Sequence, residues 1–235
     1  MTYQLTGTER MPTILITGAN RGIGLALAQS YLADGWRVLA AMRSQNAAVP
    51  DGLEPVILDV ADADAVAALR ERLSGVPIDI LWNNAGVYLD KNKSLDQMND
   101  DDWLRSFQIN TLAPIRLAEA LAENVAASNR KLMAFTTSIM GSLSGDGRGA
   151  YAYRSSKAAL NMAVRCFAKD YEADEISCLL LHPGHVKTDM GGPEGSIDVQ
   201  TSVAGMRGLV DRVSPACRLE FSGGFFNYDG TALPW

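Results

Sequence analysis

The stretch TILITGANRGIG at 13–24 determines the predicted fold. It opens with a short apolar run, TILIT at 13–17, that has the length of a buried β-strand. A glycine-rich turn follows and leads into a helical pattern. Gly18 permits the sharp turn, Gly22 lets a pyrophosphate approach the backbone, and Gly24 allows the helix to pack close to the sheet. The sequence therefore predicts a strand, a phosphate-binding turn and a helix, in that order.

The spacing of this turn, G-x-x-x-G-x-G, restricts the ligands that it can bind. It lacks the Lys-Ser or Lys-Thr end of a P-loop, which argues against a nucleoside triphosphatase. The alternative is a turn that binds nothing, and the flanking strand and helix argue against that alternative. After the fourth apolar run, NNAG at 83–86 supplies amides that can hydrogen-bond neighbouring backbone or form an Asx-type turn.

Short apolar runs alternate with helical patterns along the whole chain. Further runs of strand length lie at 36–41, 55–60, 79–83, 132–137, 176–181 and 223–228. Helical spacing is found at 22–34, 62–73, about 101–128 and 153–171, with another helical pattern near Val199. We therefore predict an α/β fold, a Rossmann-type doubly wound parallel sheet of about seven strands with helices on both faces.

Composition and charge exclude several classes of protein. The 235 residues are 47% hydrophobic and 20% charged, which suits a single domain with a substantial core. A net charge of -6 argues against a nucleic-acid surface. No apolar run approaches the roughly 20 residues of a membrane span, and MTYQLTGTER lacks the features of a signal peptide. We expect a cytoplasmic protein without nucleic-acid or membrane partners.

The predicted domain begins at Met11, immediately before the first strand. Residues 1–10 are interpreted as an N-terminal extension, either an upstream start or a cloning remnant, and are assigned no function. Residues 11–235 are interpreted as one dinucleotide-binding domain that also contains the substrate site.

Cysteine and histidine usage gives no indication of a metal site. Cys166, Cys178 and Cys217 are an odd number without C-x-x-C spacing, so neither a disulfide framework nor a zinc site is predicted. His182 and His185 lack an accompanying carboxylate cluster, and both are expected to be structural.

The segment AYAYRSSKAALN at 150–161 places two tyrosines ahead of a lysine. Residues four apart share a helix face, so Tyr153 faces Lys157, whereas Tyr151 is turned roughly 120° away. An ammonium about 4 Å from a phenol favours the phenolate by roughly 4 kcal/mol, or about three pK units, at an effective dielectric near 20. Tyr153 is therefore predicted to exchange a proton near neutral pH. The alternative is that a tyrosine and a lysine stem pack together on a helix surface.

Taken in order, these motifs resemble those of the short-chain dehydrogenase/reductase family from Met11 onward. The resemblance rests on T-G-x-x-x-G-x-G from Thr17, L-D-V from Leu58, N-N-A-G from Asn83, I-N-T from Ile109, a serine after the fifth strand at Ser138, Y-x-x-x-K from Tyr153 and P-G-x-V-x-T-D from Pro183. The fragments AYRSSKAALNM, HPGHVKTDMGG and FFNYDGTALPW further resemble the C-factor and sniffer-type carbonyl reductases within that family.

The resemblance implies a catalytic tetrad of Asn110, Ser138, Tyr153 and Lys157. Tyr153 is implied to donate a proton to the carbonyl oxygen, its pKa lowered by Lys157 and by the oxidised nicotinamide. Ser138 is implied to hydrogen-bond the same oxygen. Lys157 is implied to bind the nicotinamide ribose, and Asn110 to hold a water in a proton relay to that lysine.

The sequence leaves alternatives open for two of the implied catalytic residues and for the function of the whole protein. Asn110 is otherwise a solvent-facing residue of a helix. Ser142 and Ser144 compete for the serine role, although Ser138 directly follows the predicted strand. For the whole protein, the alternative to an enzyme is a nucleotide-binding signalling or sensor protein with little turnover, and the intact tetrad favours the enzyme.

The end of the second strand bears on the cofactor. Family members that select NAD carry an acidic residue there, whereas LAAMRS offers Arg43, and a cation can bind the 2'-phosphate of NADP(H). Arg21 is expected to assist, and the alternative is that both arginines are exposed solubilising charges. The resemblance implies that Asp59 reaches the adenine amino group, and that Thr188 and the amides at 184–186 receive the nicotinamide carboxamide.

We therefore predict an NADP(H)-dependent oxidoreductase that interconverts an aldehyde or ketone and its alcohol. The predicted cofactor-binding residues are Gly18, Asn20, Arg21, Gly22, Ile23, Gly24, Arg43, Asp59, Val60, Asn84, Ala85, Gly86, Tyr153, Lys157, Pro183, Gly184, Val186 and Thr188. The short segment at 185–196 predicts a short lid and an open pocket. Family members often pair through the helix that carries Tyr153, so a homodimer or homotetramer is expected.

Overall fold

A computed structural model of the chain describes residues 10–44 and 49–235. Its centre is one sheet of seven strands, in which every neighbouring pair is parallel. The strands are β1 Thr13–Thr17, β2 Arg37–Met42, β3 Glu54–Ile57, β4 Ile80–Asn83, β5 Leu132–Thr136, β6 Ser177–His182 and β7 Gly224–Asn227. Their order across the sheet is β3-β2-β1-β4-β5-β6-β7. The predicted doubly wound parallel sheet is confirmed.

Helices cover both faces of this sheet. They are α1 Gly22–Ala33, α2 Ala63–Arg72, α3 Asp100–Phe107, α4 Ala113–Ala120, α5 Ala122–Ala126, α6 Tyr151–Asp170, α7 Val199–Arg212 and α8 Arg218–Phe221. Helices α1 and α7 pack on one face, and α2, α4 and α6 pack on the other. Alternate strand residues point to opposite faces, so Leu15 joins one hydrophobic core whereas Ile14 and Ile16 join the other. Burial on both faces explains the continuous apolar runs in the sequence.

The order of the strands reverses at β1, which lies between β2 and β4. At such a point the connections on either side run to opposite faces of the sheet, and a crevice opens beyond the carboxyl ends of the strands. The turns after β1, β2, β4, β5 and β6 meet at this edge. The fold therefore brings together motifs that are far apart in the sequence.

The third strand is shorter than predicted and ends at Ile57. The Ala61 amide donates a hydrogen bond to the Asp59 carboxylate at 2.9 Å, and the turn that contains this bond ends the strand. Leu58 still lies beside β2, because its amide donates to the Met42 carbonyl at 2.9 Å.

The single helical pattern predicted at about 101–128 is divided between α3, α4 and α5. Between α3 and α4, Gln108–Leu112 forms a π turn, in which the Ala113 amide donates to the Gln108 carbonyl. Such turns hold one residue more than an α-helical turn and are frequent at functional sites. The helix is interrupted again at Leu121, where φ is -109° and ψ is 11°. Helical spacing of apolar residues persists across both interruptions, so periodicity alone does not reveal them.

The other predicted elements agree with the structure to within a few residues. Helix α6 begins at Tyr151, so Tyr153 lies in its first turn. The helical pattern near Val199 is α7, and the run at 223–228 is the parallel edge strand β7.

Arg10 is the one residue of the predicted extension that the structure describes. Its guanidinium forms an ion pair with Asp79 at 2.8 Å. The domain boundary at Met11 and the cytoplasmic location stay predictions. Within the described ranges, no helix is long and apolar enough to cross a membrane. Cys166, Cys178 and Cys217 are free thiols.

Candidate active site

A cleft of about 530 Å³ lies at the carboxyl edge of the sheet. Its wall contains these predicted cofactor-binding residues: Gly18, Asn20, Arg21, Gly22, Ile23, Gly24, Arg43, Asp59, Val60, Asn84, Ala85, Gly86, Tyr153, Lys157, Pro183 and Thr188. Four predicted site residues are not in this wall, namely Asn110, Ser138, Gly184 and Val186. We call the part of the cleft around Tyr153 and Lys157 the tyrosine end, and the part around Arg21 and Arg43 the arginine end.

Two glycines shape the turn between β1 and α1. Gly18 has a φ of +67°, a left-handed conformation that glycine adopts without strain. A Cβ at Gly24 would stand 2.2 Å from the carbonyl oxygen of Gly18, so no larger residue fits there. The first turn of α1 therefore packs directly over the end of β1, and its unpaired amides point towards the cleft.

The NNAG segment at 83–86 is hydrogen-bonded to the last residue of β1. The amides of Asn84 and Ala85 both donate to the Thr17 hydroxyl, at 2.9 and 3.0 Å. The Asn84 side chain also donates to the Thr17 carbonyl at 3.0 Å. These bonds hold the turn after β4 against the turn after β1, and so fix the floor of the cleft.

The arginine end is exposed and charged. Arg43 follows β2 directly and is exposed, and no residue of the described ranges forms an ion pair with it. Arg21 pairs with Asp189 at 2.9 Å, although both side chains are largely exposed. Asp59 lies 3.7 Å from the guanidinium of Arg105. Arg43 thus presents a cation to the cleft that no described acidic side chain neutralises.

The tyrosine end is enclosed. Tyr153 is 8% exposed and Lys157 is 4% exposed. The Lys157 ammonium lies 5.9 Å from the centre of the Tyr153 ring and donates to the Thr136 carbonyl at 2.9 Å. Tyr151 is 42% exposed, and its ring lies 6.5 Å from that of Trp103. Tyr153 and Lys157 therefore share the cleft, as their spacing predicts, and Tyr151 lies outside it.

The net shift of the Tyr153 pKa is upward, opposite to the prediction, because burial outweighs the groups that favour the phenolate. Burial raises the pKa of Tyr153 to about 12, with Ser138 opposing the rise and Tyr88 adding to it. Burial also lowers the pKa of Lys157 to about 8. The prediction assumed a partly solvated pair, whereas enclosure disfavours the charged form of both groups.

Asn110 lies in the π turn and is 1% exposed, so the alternative of a solvent-facing residue is wrong. Its carboxamide oxygen accepts from the Val87 amide at 2.9 Å. Its nitrogen donates to the Val87 carbonyl at 2.9 Å and to the Ser156 hydroxyl at 3.0 Å. A Cβ at Gly86 would stand 3.2 Å from the Asn110 oxygen and 3.7 Å from the Lys157 nitrogen. Asn110 and Lys157 thus both approach the space that a side chain at Gly86 would occupy.

The serine candidates differ in their surroundings. Ser138 is buried two residues after β5 and interacts with the hydroxyl of Tyr153, whose pKa it lowers. The hydroxyls of Ser142 and Ser144 contact each other at 2.7 Å, and Ser142 also donates to the Trp235 carbonyl. These contacts favour Ser138 over its two competitors.

The segment after β6 forms the remaining side of the cleft. Pro183 and Thr188 lie in the wall, whereas His185 is exposed. Lys91, from the segment after β4, donates to the Met190 carbonyl at 2.9 Å. The mouth of the cleft is therefore bounded by segments that follow two different strands.

The sequence does not predict three residues of the tyrosine end, two of which contribute side chains and one a backbone carbonyl. The ring of Tyr88 stacks on that of Tyr153 with centres 4.3 Å apart. Asp90 accepts hydrogen bonds from the amides of Ala152 and Tyr153, and Thr136 provides the carbonyl that binds Lys157. Asp90 stands 63 residues before Tyr153, and its place just after NNAG is the one signal that points to it.

Within the described part of the chain, neither histidine belongs to a group of metal ligands. Burial lowers the pKa of His182 to about 4, so its imidazole is neutral at physiological pH. In the ranges 10–44 and 49–235, no group of three or more His, Cys, Asp or Glu side chains is arranged to hold a metal ion.

Comparison with known proteins identifies the family. The sequence profile of the short chain dehydrogenases matches residues 12–197. The C-signal protein of Myxococcus xanthus is 45% identical over 161 residues, which cover 68% of this chain and 93% of that protein. The carbonyl reductase Sniffer of D. melanogaster has a TM-score of 0.85 and 32% identity, and the match covers 96% of this chain and 100% of that chain. The NADPH-bound carbonyl reductase from chicken fatty liver has a TM-score of 0.84 and 32% identity, and the match covers 97% of this chain and 100% of that chain.

The fold and the cleft define a dinucleotide-binding oxidoreductase. The chain belongs to the short chain dehydrogenase family, and the predicted resemblance to C-factor and sniffer-type carbonyl reductases is confirmed. The predicted dependence on NADP(H) agrees with the solved relatives that have this cofactor bound.

Proposed function

We propose that the protein interconverts an aldehyde or ketone and its alcohol with NADP(H), and that Tyr153 is the proton donor in the reducing direction. One observation carries the proposal: Tyr153 and Lys157 lie buried together at one end of a cleft whose other end presents Arg43, which forms no ion pair within the described ranges. The first end suits proton transfer to a carbonyl oxygen, and the second suits a phosphate group.

The residues of the cleft fit NADP(H). A Cβ at Gly22 would meet the Thr188 side chain alone, at 3.6 Å, so the backbone of the turn is open to a pyrophosphate. Arg43 would hold the 2'-phosphate, and Asp59 the adenine amino group. Lys157 would hold the nicotinamide ribose, and Thr188 the carboxamide. The bound cofactor supplies the hydride that the carbonyl carbon receives.

The protein supplies the proton and the surroundings of the developing negative charge. As the carbonyl is reduced, charge accumulates on its oxygen, and the Tyr153 hydroxyl donates its proton there. An alkoxide is a stronger base than a phenolate, so this transfer is favourable even from a phenol whose pKa is about 12. The Ser138 hydroxyl donates a second hydrogen bond to the same oxygen. Lys157, with a pKa of about 8, is mostly protonated at neutral pH and stabilises the phenolate that remains.

Tyr153 then regains its proton through Lys157. Both N–H groups of the Asn110 carboxamide bind Val87 and Ser156, so they are not available to a relay water. We therefore assign the binding of that water to other hydrogen-bond acceptors of the π turn. This turn is close to Lys157, since Asn110 and Lys157 both approach Gly86.

Turnover with a panel of carbonyl compounds tests this proposal. The oxidation of NADPH is to be followed with aromatic aldehydes, aliphatic aldehydes and ketones, for the wild type and for Tyr153→Phe. We expect the wild type to oxidise NADPH with at least one of these classes, and the variant to bind NADPH without turnover.

The second candidate is a nucleotide-binding signalling or sensor protein with little turnover. The similarity to the C-signal protein supports it. This candidate is favoured if the wild type binds NADPH tightly while no carbonyl class accelerates its oxidation. Assembly into a homodimer or homotetramer stays a prediction.

A further inference from the structure

Helix α6, which carries Tyr153, begins without a capping residue of its own. Ala150, the residue before its first turn, is left-handed with a φ of 52°, and no side chain at that position forms a capping bond. The free amides at a helix start are usually bonded by a Ser, Thr, Asp or Asn directly before it. Here Asp90 takes that role from the segment after β4. Its carboxylate accepts from the Ala152 amide at 2.8 Å and from the Tyr153 amide at 3.3 Å.

Asp90 is a buried carboxylate, 1% exposed, and no cation among residues 10–44 and 49–235 forms an ion pair with it. Burial of a charge costs free energy, which two amides and the positive end of the helix offset here. A neutral asparagine caps a helix about as well as an aspartate. A carboxylate differs in that both of its oxygens accept, so it can bind two successive amides, the second of which belongs to Tyr153.

Further contacts hold Tyr153 in place. Tyr88 stacks on its ring, with the two planes inclined by 20°. The Ser156 hydroxyl donates to the Tyr153 carbonyl at 2.8 Å and itself accepts from Asn110 at 3.0 Å. Asn110 also binds both backbone groups of Val87. The ring, the amide and the carbonyl of Tyr153 are therefore each bound by a side chain.

We propose that Asp90 is a positioning residue for the reaction. It fixes the first turn of α6 so that the Tyr153 hydroxyl stays within hydrogen-bonding distance of the substrate oxygen. The inference rests on the proposed role of Tyr153 as proton donor. A displacement of a reacting group by about 1 Å lowers a rate on the order of 100-fold. Loss of Asp90 therefore reduces turnover and leaves the binding of NADPH at the arginine end intact.

The test compares Asp90→Ala and Asp90→Asn with Asp198→Ala. Asp198 is a matched control, because its carboxylate caps α7 by accepting from the Thr201 amide at 2.7 Å. For each purified variant, kcat is measured with NADPH and a carbonyl compound that the wild type reduces, and the NADPH dissociation constant is measured by fluorescence titration. We expect Asp90→Ala to lower kcat by about 10- to 100-fold with the dissociation constant changed by less than about threefold. Asp90→Asn keeps one acceptor and should fall between Asp90→Ala and the wild type. Asp198→Ala should retain kcat.

Two results would overturn the inference: a kcat of Asp90→Ala within about threefold of the wild type, or equal losses in kcat and NADPH affinity. If Asp90→Ala does not fold, Asp90→Glu replaces it, since it moves the carboxylate while keeping the charge. A folded Asp90→Glu with reduced kcat and intact NADPH binding supports the inference, and an unchanged kcat rejects it. Tyr153→Phe is measured in parallel. Activity in Tyr153→Phe would refute the proposed function itself, whereas an inactive Tyr153→Phe beside a fully active Asp90→Ala would refute this inference alone.

Discussion

The tyrosine end and the arginine end of the cleft are built in different ways. Tyr153 and Lys157 are almost completely buried and are held by hydrogen bonds from the segment after β4 and from the last residue of β5. Arg43 and Arg21 are exposed, and the one ion pair between them and the described acidic residues joins two largely exposed side chains. The first end is fixed by packing and hydrogen bonds, and the second depends on charge.

This difference separates the reaction from the choice of cofactor. Buried groups contribute through position and through shifted pKa values, so substitutions there should change kcat. Exposed charges contribute by attracting a phosphate, and solvent and salt weaken this attraction. Substitutions of these charges should therefore change the affinity for the cofactor. If the two ends are independent, a substitution at one end should leave the property that the other end determines unchanged.

The largest expected effect is at the tyrosine end. Tyr153→Phe removes the proton donor and should lower kcat on the order of 100- to 10,000-fold with NADPH binding largely retained. Tyr151→Phe is the matched control and should retain most activity, because Tyr151 is exposed beside Trp103. Steady-state kinetics of both variants decide the question. An inactive Tyr151→Phe would show that the catalytic assignment on α6 is wrong.

At the arginine end, Arg43→Ala should raise the NADPH dissociation constant by about 10- to 150-fold and leave that of NADH nearly unchanged. The reason is that the 2'-phosphate is present in NADPH alone. Arg43→Asp should repel this phosphate and reverse the preference. Fluorescence titration of both cofactors measures these constants, with Arg116→Ala as a control for the loss of an exposed arginine elsewhere. Equal weakening of both cofactors by Arg43→Ala would contradict the assignment.

The pKa of Lys157 predicts opposite effects of pH on rate and stability. Reduction should slow by about tenfold between pH 7 and pH 9, as a lysine with a pKa of about 8 loses its proton. Over the range from about 8 up to the ordinary lysine pKa, the unfolded chain binds a proton that the folded protein has released. The free energy of unfolding should therefore rise with pH in this window.

Rate profiles and urea unfolding from pH 7 to pH 9.5 measure both effects. Lys157→Met, which has no proton to lose, should lack this contribution to the pH dependence of stability. A rate that stays constant over this range would contradict the assigned protonation state.

The smallest expected effect concerns the ion pair between Arg21 and Asp189. Asp189→Asn releases Arg21 towards the phosphates, and the NADPH dissociation constant should fall by about two- to threefold. The free energy of unfolding should change by less than about 1 kcal/mol, because the pair is exposed. Titration at low and high salt measures the first effect, which added salt should remove. A change in affinity that persists at high salt would mean that Asp189 acts by shape rather than by charge.

Local patterns were enough to predict the strands, the glycine turn and the shared face of Tyr153 and Lys157. Each of these depends on residues within a few positions of one another, such as the close approach of Gly24 to Gly18. The parallel sheet then brought the motifs to one edge, as its topology requires.

The features that the sequence does not reveal depend on how deeply residues are buried and on contacts between residues that are far apart in the sequence. The sign of the Tyr153 pKa shift was wrong because the spacing of two residues does not show how deeply they are buried. Local sequence patterns do not reveal Asp90, because it caps a helix that begins far along the chain. The role of Arg43 stays a prediction, since an exposed side chain that pairs with no described acidic residue has the same appearance whether or not it binds a phosphate.

The π turn at Gln108–Leu112 has a consequence for comparing or redesigning relatives of this protein. A π turn accommodates one surplus residue, which in an unbroken α-helix would turn every later residue by roughly 100°. A single-residue deletion that converts this turn to a regular α-helical one would therefore keep the apolar face of α4 turned inward while moving Asn110 out of the position that the π turn gives it. An alignment that treats the segment as one regular helix, and closes a gap there, would misassign the inward-facing positions on one side of it.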